Sequence, residues 1–464
     1  MKKIYSIILL CSVAGFILGA CASDQPTSSD KEQREESVPN EVQQNEITDE
    51  DAKEEKESAK KENEKQEKEF NFEKPESVRG LYVTGHSAGD EKFNRLIELI
   101  GNTDLNAMVI DIKDDFGNIT YEPDKKSPFA SFGKPYIKDP KKMLKVLEEH
   151  NIYPIARVVV FKDSVLADEN PELSFRNGKE VWRNGRDEAF VNPFQKDVWE
   201  HNLTIAKEAA EMGFAEIQFD YVRFPEGFEN KADDLSYDKG DYGNKENQEE
   251  GRVQAITDFV TYAKEELEPY DVDISVDVFG YTVTVPSAGG IGQDIVTIGE
   301  QIDVLSSMIY PSHWGDGNLD VAKPDLDPYQ LIHNYVVKEK EKFLQMDTPP
   351  ISRPWIQDFT ASWLGSGNYK KYGKEEVEAQ IRALNEAGVN EFLLWNASNN
   401  YTENVDYTPE LDEEVVKKVK KEDKELKKEI EQKEKEKNDI ERKDDEEKAS
   451  DTTEEENETE KGED

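Results

Sequence analysis

Residues 215–225 read Ala-Glu-Ile-Gln-Phe-Asp-Tyr-Val-Arg-Phe-Pro. The run Ala215–Phe224 is rich in aromatic and branched side chains and stops at a proline, which predicts a strand. The helical pattern of Phe194–Met212 precedes it, with Gly213 where a helix C-cap would fall, and that of Arg252–Leu267 follows. A largely apolar strand bracketed by helices belongs to a parallel sheet covered on both faces.

The same unit repeats in both directions. Seven further runs read as strands: Val78–Thr84, Ala107–Ile112, Tyr153–Phe161, Asp273–Tyr281, Val304–Tyr310, Ile351–Phe359 and Glu391–Trp395. Amphipathic patterns lie between them at Glu91–Ile100, Asp139–Glu149, Pro328–Phe343 and Lys374–Ala387, with Gly388 at a second C-cap position and Asp294–Ile302 as the helix after strand 5. Eight strand–helix repeats over about 320 residues predict an α/β fold, a (β/α)8 TIM barrel. A doubly wound open sheet is the alternative, but no Gly-x-Gly-x-x-Gly follows the first strand.

The 464 residues carry a net charge of −44 and only 35% apolar residues, and position explains both. Residues 1–21 read as a signal: Lys2 and Lys3, an apolar core, then Leu18-Gly19-Ala20-Cys21, which resembles a bacterial lipobox. Its apolar run is too short to span a bilayer. Cleavage before Cys21 and lipidation of that thiol would anchor the protein to the outer face of the cell membrane. With Cys11 lost in the signal, cysteine catalysis and thiolate zinc sites are excluded. Residues 22–73, net −10, and 441–464, net −9, are too polar to bury a core and read as disordered arms. A barrel domain is expected over 74–410, with a charged terminal helix over 411–440 of coiled-coil-like composition. The acidity argues against nucleic acid as a partner. Oligomeric state is not legible.

In a (β/α)8 barrel the chemistry sits at the C-terminal strand ends. Those ends supply carboxylates, aromatic rings and a few amide and cationic donors, the materials of a sugar site. Glycosidic cleavage needs two carboxyl groups flanking the bond. Asp220 is the first candidate, because an ionised carboxylate inside an apolar strand needs a partner, and Arg157 and Arg223 are available. Asp277 on the next strand is the second. The bland alternatives are a structural Asp–Arg pair and a polar strand cap. Asp111 and Asp358 could each replace Asp277 or bind a sugar hydroxyl. Lys113, Arg157, Tyr221, Arg223, Tyr310, His313, Trp314, Gln357, Trp395 and Asn396 complete the expected substrate-binding set. Five histidines without a His-x-His or His-Glu-x-x-His pair give no reason to expect a metal, and no cofactor is expected. Residues 226–251 form a long polar loop whose Asp238–Asn244 run fails the calcium-loop spacing.

The segments VRGLYVTG (Val78–Gly85), AMVIDIKD (Ala107–Asp114), DYVRFP (Asp220–Pro225), SSMIYPSHW (Ser306–Trp314), PWIQDF (Pro354–Phe359) and EFLLWNAS (Glu391–Ser398) resemble the bacterial "putative glycoside hydrolase domain" family over roughly residues 77–405. The resemblance implies a (β/α)8 barrel with a glycosidase-like site. Comparison with the wider α-amylase-like superfamily would make Asp220 the nucleophile and put the acid after strand 5. That superfamily usually has Arg two residues before the nucleophile and Glu on strand 5; here those positions hold Gln218 and Asp277. The expected activity is hydrolysis of an extracellular or envelope polysaccharide. A non-catalytic carbohydrate-binding or structural envelope lipoprotein on the same barrel is the alternative.

Overall fold

The computed structural model describes residues 69–421 apart from Glu246, with isolated positions as far as Gln432. The signal, most of the 22–73 arm and the acidic tail lie outside the described residues.

Eight parallel strands close into a barrel. They are β1 (Arg79–Val83), β2 (Ala107–Lys113), β3 (Tyr153–Val159), β4 (Glu216–Asp220), β5 (Asp273–Phe279), β6 (Val304–Met308), β7 and β8 (Phe392–Trp395). The open-sheet alternative is thereby excluded. β7 was expected as one run but comes in two pieces, Ile351–Ser352 and Trp355–Gln357. The first pairs with β6 and the second with β8, while Trp355 also faces Met308 and completes the circle. Pro354 has no N–H to give a ladder, so the partner changes there.

The helices that lead into strands β2 to β8 are α1 (Glu91–Gly101), α2 (Pro140–Glu149), α3 (Lys196–Met212), α4 (Gln248–Leu267), α5 (Ile295–Gly299), α6 (Pro328–Phe343) and α7 (Lys374–Glu386). Their ends follow the sequence signals. Asp139 caps α2 through the Lys142 amide with Pro140 next to it, and Gly213 ends α3 at φ 111°. A Cβ on Gly213 would meet the Phe70 ring at 2.5 Å. Phe70 is itself buried in the core, so the folded domain begins before residue 74, inside the stretch read as a disordered arm. Of the expected terminal helix, residues 413–421 are helical and most of the remainder lies outside the described residues.

Two cores result. A large one lies between strands and helices, and a smaller one, including Val109, Ile155, Tyr310, Trp355 and Leu393, fills the barrel. Towards the N-terminal end of the barrel an ion network joins four strands. Arg353 Nη1 contacts both Glu216 oxygens at 2.7 and 2.8 Å, its Nε reaches Glu391 at 2.7 Å, and Ser275 donates to Glu216 at 2.6 Å. This closed floor leaves the other mouth for chemistry.

Candidate active site

β4 ends at Asp220, earlier than the apolar run suggests, because Tyr221 adopts a left-handed backbone with φ 54°. A non-glycine residue pays about 1–2 kcal/mol for that conformation. The turn brings the Tyr221 amide onto Asp220 Oδ1 at 2.5 Å. From β3, Arg157 donates to Asp220 Oδ2 through Nε at 3.0 Å and Nη2 at 2.6 Å. Asp220 thus takes its guanidinium partner from the neighbouring strand, β3.

Arg157 is almost wholly buried and serves three acids. Nη1 lies 2.6 Å from Asp111 Oδ1, and Nη2 lies 2.7 Å from Asp115 Oδ1. Its flat group is also near the rings of Tyr82 and Trp395, 5.4 and 5.7 Å from their centroids, and these two rings stack at 4.2 Å. Asp111 accepts from the Tyr82 hydroxyl at 2.5 Å. Burial pushes the Asp111 carboxyl up to about 7, against the pull of Arg157. For Asp115 burial acts upward too, but Arg157 and Lys162 outweigh it and hold the carboxyl below the usual range. Lys162 Nζ lies 2.6 Å from Asp115 and 2.9 Å from the Tyr221 hydroxyl.

Asp277 stands beside Asp220. The ladder pairs Phe219 with Val276, so these two acids occupy the next rung of adjacent strands, spaced about 4.8 Å apart. Asp277 is 1% exposed and accepts from Trp355 Nε1 at 2.9 Å. Burial first, and the Asp220 charge second, hold its carboxyl well above the usual range. The site therefore pairs a carboxyl group held by a guanidinium with one whose affinity for its proton is raised by burial and by its neighbour. Such a pair can protonate a leaving oxygen and attack, or activate water, from the other group.

Both open onto a cavity of about 970 Å³ at the C-terminal mouth. Of the expected binding residues, Arg157, Tyr221, Arg223, Tyr310, His313, Trp314 and Trp395 line it. The others do not. Asp111 lies under Arg157. Asp358 accepts from the Thr402 amide and hydroxyl, Asn396 donates to Asp358 and Asn400 carbonyls, and Gln357 donates to Asp325 and Phe359, so all three brace loops. Lys113 is the clearest correction: a register shift between Asp111 and Lys113 turns it out of the barrel, where it meets Asp163 at 2.6 Å and Asn202 at 2.8 Å, fully buried. Lys113→Met should leave KM for any substrate unchanged while destabilising the fold by about 3–5 kcal/mol, because Asp163 would be left buried without its cation. Chemical denaturation alongside kinetics checks this; a raised KM at unchanged stability would return Lys113 to the site.

Strand-end reading missed Lys162, Glu188 and Glu226, which reach the cavity from loops; Trp355 stands at the end of strand 7, but nothing in the sequence shows that it holds Asp277. Glu226 and Glu229 come from the 226–251 loop, here built of short 3-10 turns. Asp115 was visible in the Asp114-Asp115 pair after strand 2, but nothing in the sequence singles it out.

A family model described as "Putative glycosyl hydrolase domain" matches residues 80–401. No curated protein matches the chain. Among solved structures, a hypothetical protein from Ruminiclostridium thermocellum is similar at 35% identity, covering 43% of this chain and 97% of that one, with a TM-score of 0.37. The PgaB (BpsB) glycoside hydrolase domain from Bordetella bronchiseptica is similar at 16% identity, covering 70% and 95%, with a TM-score of 0.50. At that identity the likeness is one of fold. An α-galactosidase from Thermus thermophilus, with 10% identity, covers 75% and 63% at a TM-score of 0.41.

Proposed function

Since the chain belongs to the putative glycosyl hydrolase domain family, we propose that it is a glycosidase of an extracellular or envelope polysaccharide, with Asp277 as general acid and Asp220 as nucleophile or base toward water. The observation that carries this reading is the adjacency of the two carboxyl groups in opposite settings. Asp220 is ion-paired to Arg157, and Asp277 is buried, held by Trp355 and pushed toward its protonated form by burial. Aromatic rings on the cavity wall, Tyr310, Trp314 and Trp395, suit the apolar faces of pyranoses. Lipidation of Cys21 would keep the barrel outside the membrane, near such polymers.

The test is reducing-end release from a panel of soluble capsular polysaccharides, teichoic acids and solubilised peptidoglycan glycan strands. New reducing ends from at least one polymer are expected. Binding without release across the panel would replace the enzyme by a carbohydrate-binding protein on the same barrel.

A further inference from the structure

Three aromatic side chains among the described residues stand exposed: Phe116 at 65%, Tyr281 at 40% and Trp363 at 65%. All three lie in loops that follow the C-terminal ends of barrel strands, β2, β5 and β7. The exposed aliphatics, Val337 on α6 and Ile351 at the start of β7, lie elsewhere. Among the described residues, the exposed Phe, Tyr and Trp side chains thus all lie on the face that carries the cavity.

Tyr281 lines the cavity itself and packs on Phe279, whereas Trp363 stands outside the lining and is joined to it through a chain of ring contacts. It stacks on Phe359 at 5.8 Å and 21°. Phe359 in turn meets Tyr310 edge-on at 6.0 Å and His313 at 6.4 Å, and both of these line the cavity. The supporting loop is braced. Ser362–Leu364 form a 3-10 turn, the Tyr372 amide donates to Thr360 at 3.0 Å, and Asn368 accepts from Lys323 at 2.7 Å. Lys323 also holds Asp316 at 2.7 Å, which links this loop to the one after β6. Beyond its stack on Phe359, most of the Trp363 surface is open to water on a fixed support, and an exposed ring face so placed suits a flat apolar ligand.

We propose that Trp363 is an outer subsite that stacks a pyranose ring of the same glycan chain whose bond lies at Asp220 and Asp277. This rests on the glycosidase reading and sharpens it: the substrate is a polymer long enough to reach from the cavity floor to Trp363.

Affinity electrophoresis of the full chain through gels cast with the same polysaccharide panel tests the subsite without turnover. Trp363→Ala should weaken retardation by the recognised polymer about tenfold, Trp363→Phe should keep most of it, and the disaccharide repeat should compete equally with wild type and Trp363→Ala. Equal retardation of Trp363→Ala and wild type overturns the subsite and leaves the glycosidase reading standing. Weakening that extends equally to the disaccharide also overturns it. A wild-type protein retarded by no polymer removes both.

Discussion

Asp277→Asn should lower kcat/KM by a hundredfold or more and at the same time raise the melting temperature at neutral pH. The kinetic half follows from removing the group that gives its proton to the leaving oxygen, since general acid catalysis is worth about 10²–10⁴ in rate. The stability half follows from burial. The Asp277 carboxyl is held well above its ordinary range, by burial and then by Asp220. A group whose folded value is raised contributes stability that is fully present below the unfolded value of about 3.9 and is lost as pH rises through the folded value. Wild type therefore becomes less stable towards alkaline pH through this residue, whereas asparagine does not titrate and still accepts from Trp355. A gain of a few degrees at neutral pH, growing as pH rises from about 4 towards the raised folded value, is the expected calorimetric result. The alkaline limb of the kcat/KM profile should vanish with the carboxyl. A variant that loses activity and melts lower would instead make Asp277 a structural cap.

Arg157→Met should be the most damaging single change at this end of the barrel. It leaves Asp111, Asp115 and Asp220 around a missing cation, and stranding buried charges costs about 3–5 kcal/mol. The deficit should depend on pH. Asp115 is held low by Arg157, so its contribution exists above the unfolded value and is lost as pH falls. Asp111 already sits at about 7 with the guanidinium present, and removing it makes ionisation there costlier still. The gap between variant and wild type should therefore narrow below about pH 4 and widen above pH 7. Urea melts across that range measure it; a constant gap would mean that Arg157 acts through packing alone. Arg157→Lys should not rescue, because one ammonium cannot reproduce a fork that serves three acids.

How much of this was legible differs by level. The barrel could be read from eight apolar runs and the helices between them, since burial on both faces leaves an uninterrupted signature in each strand. That Asp220 and Asp277 face the cavity could be read because a carboxylate in such a run needs a reason. What sequence did not carry was orientation. A register shift after Asp111 turns Lys113 outward, and a left-handed Tyr221 ends β4 at Asp220, well before Pro225 closes the motif. Gln357, Asp358 and Asn396 look like site residues by position, yet their polar atoms are consumed by loop backbone and by Thr402. Loop contributors such as Lys162 and Glu188 have no periodicity to betray them, and only the folded chain brings them beside Tyr221 and Asp115.

The central claim is that Asp220 and Asp277 form the carboxyl pair of a glycosidase. Its most direct test is reducing-end release by wild type, Asp220→Asn and Asp277→Asn, with melting temperatures taken on the same samples. The account predicts release by wild type from at least one envelope polysaccharide and a loss of a hundredfold or more in each variant with the fold intact. Full activity in either variant would contradict it.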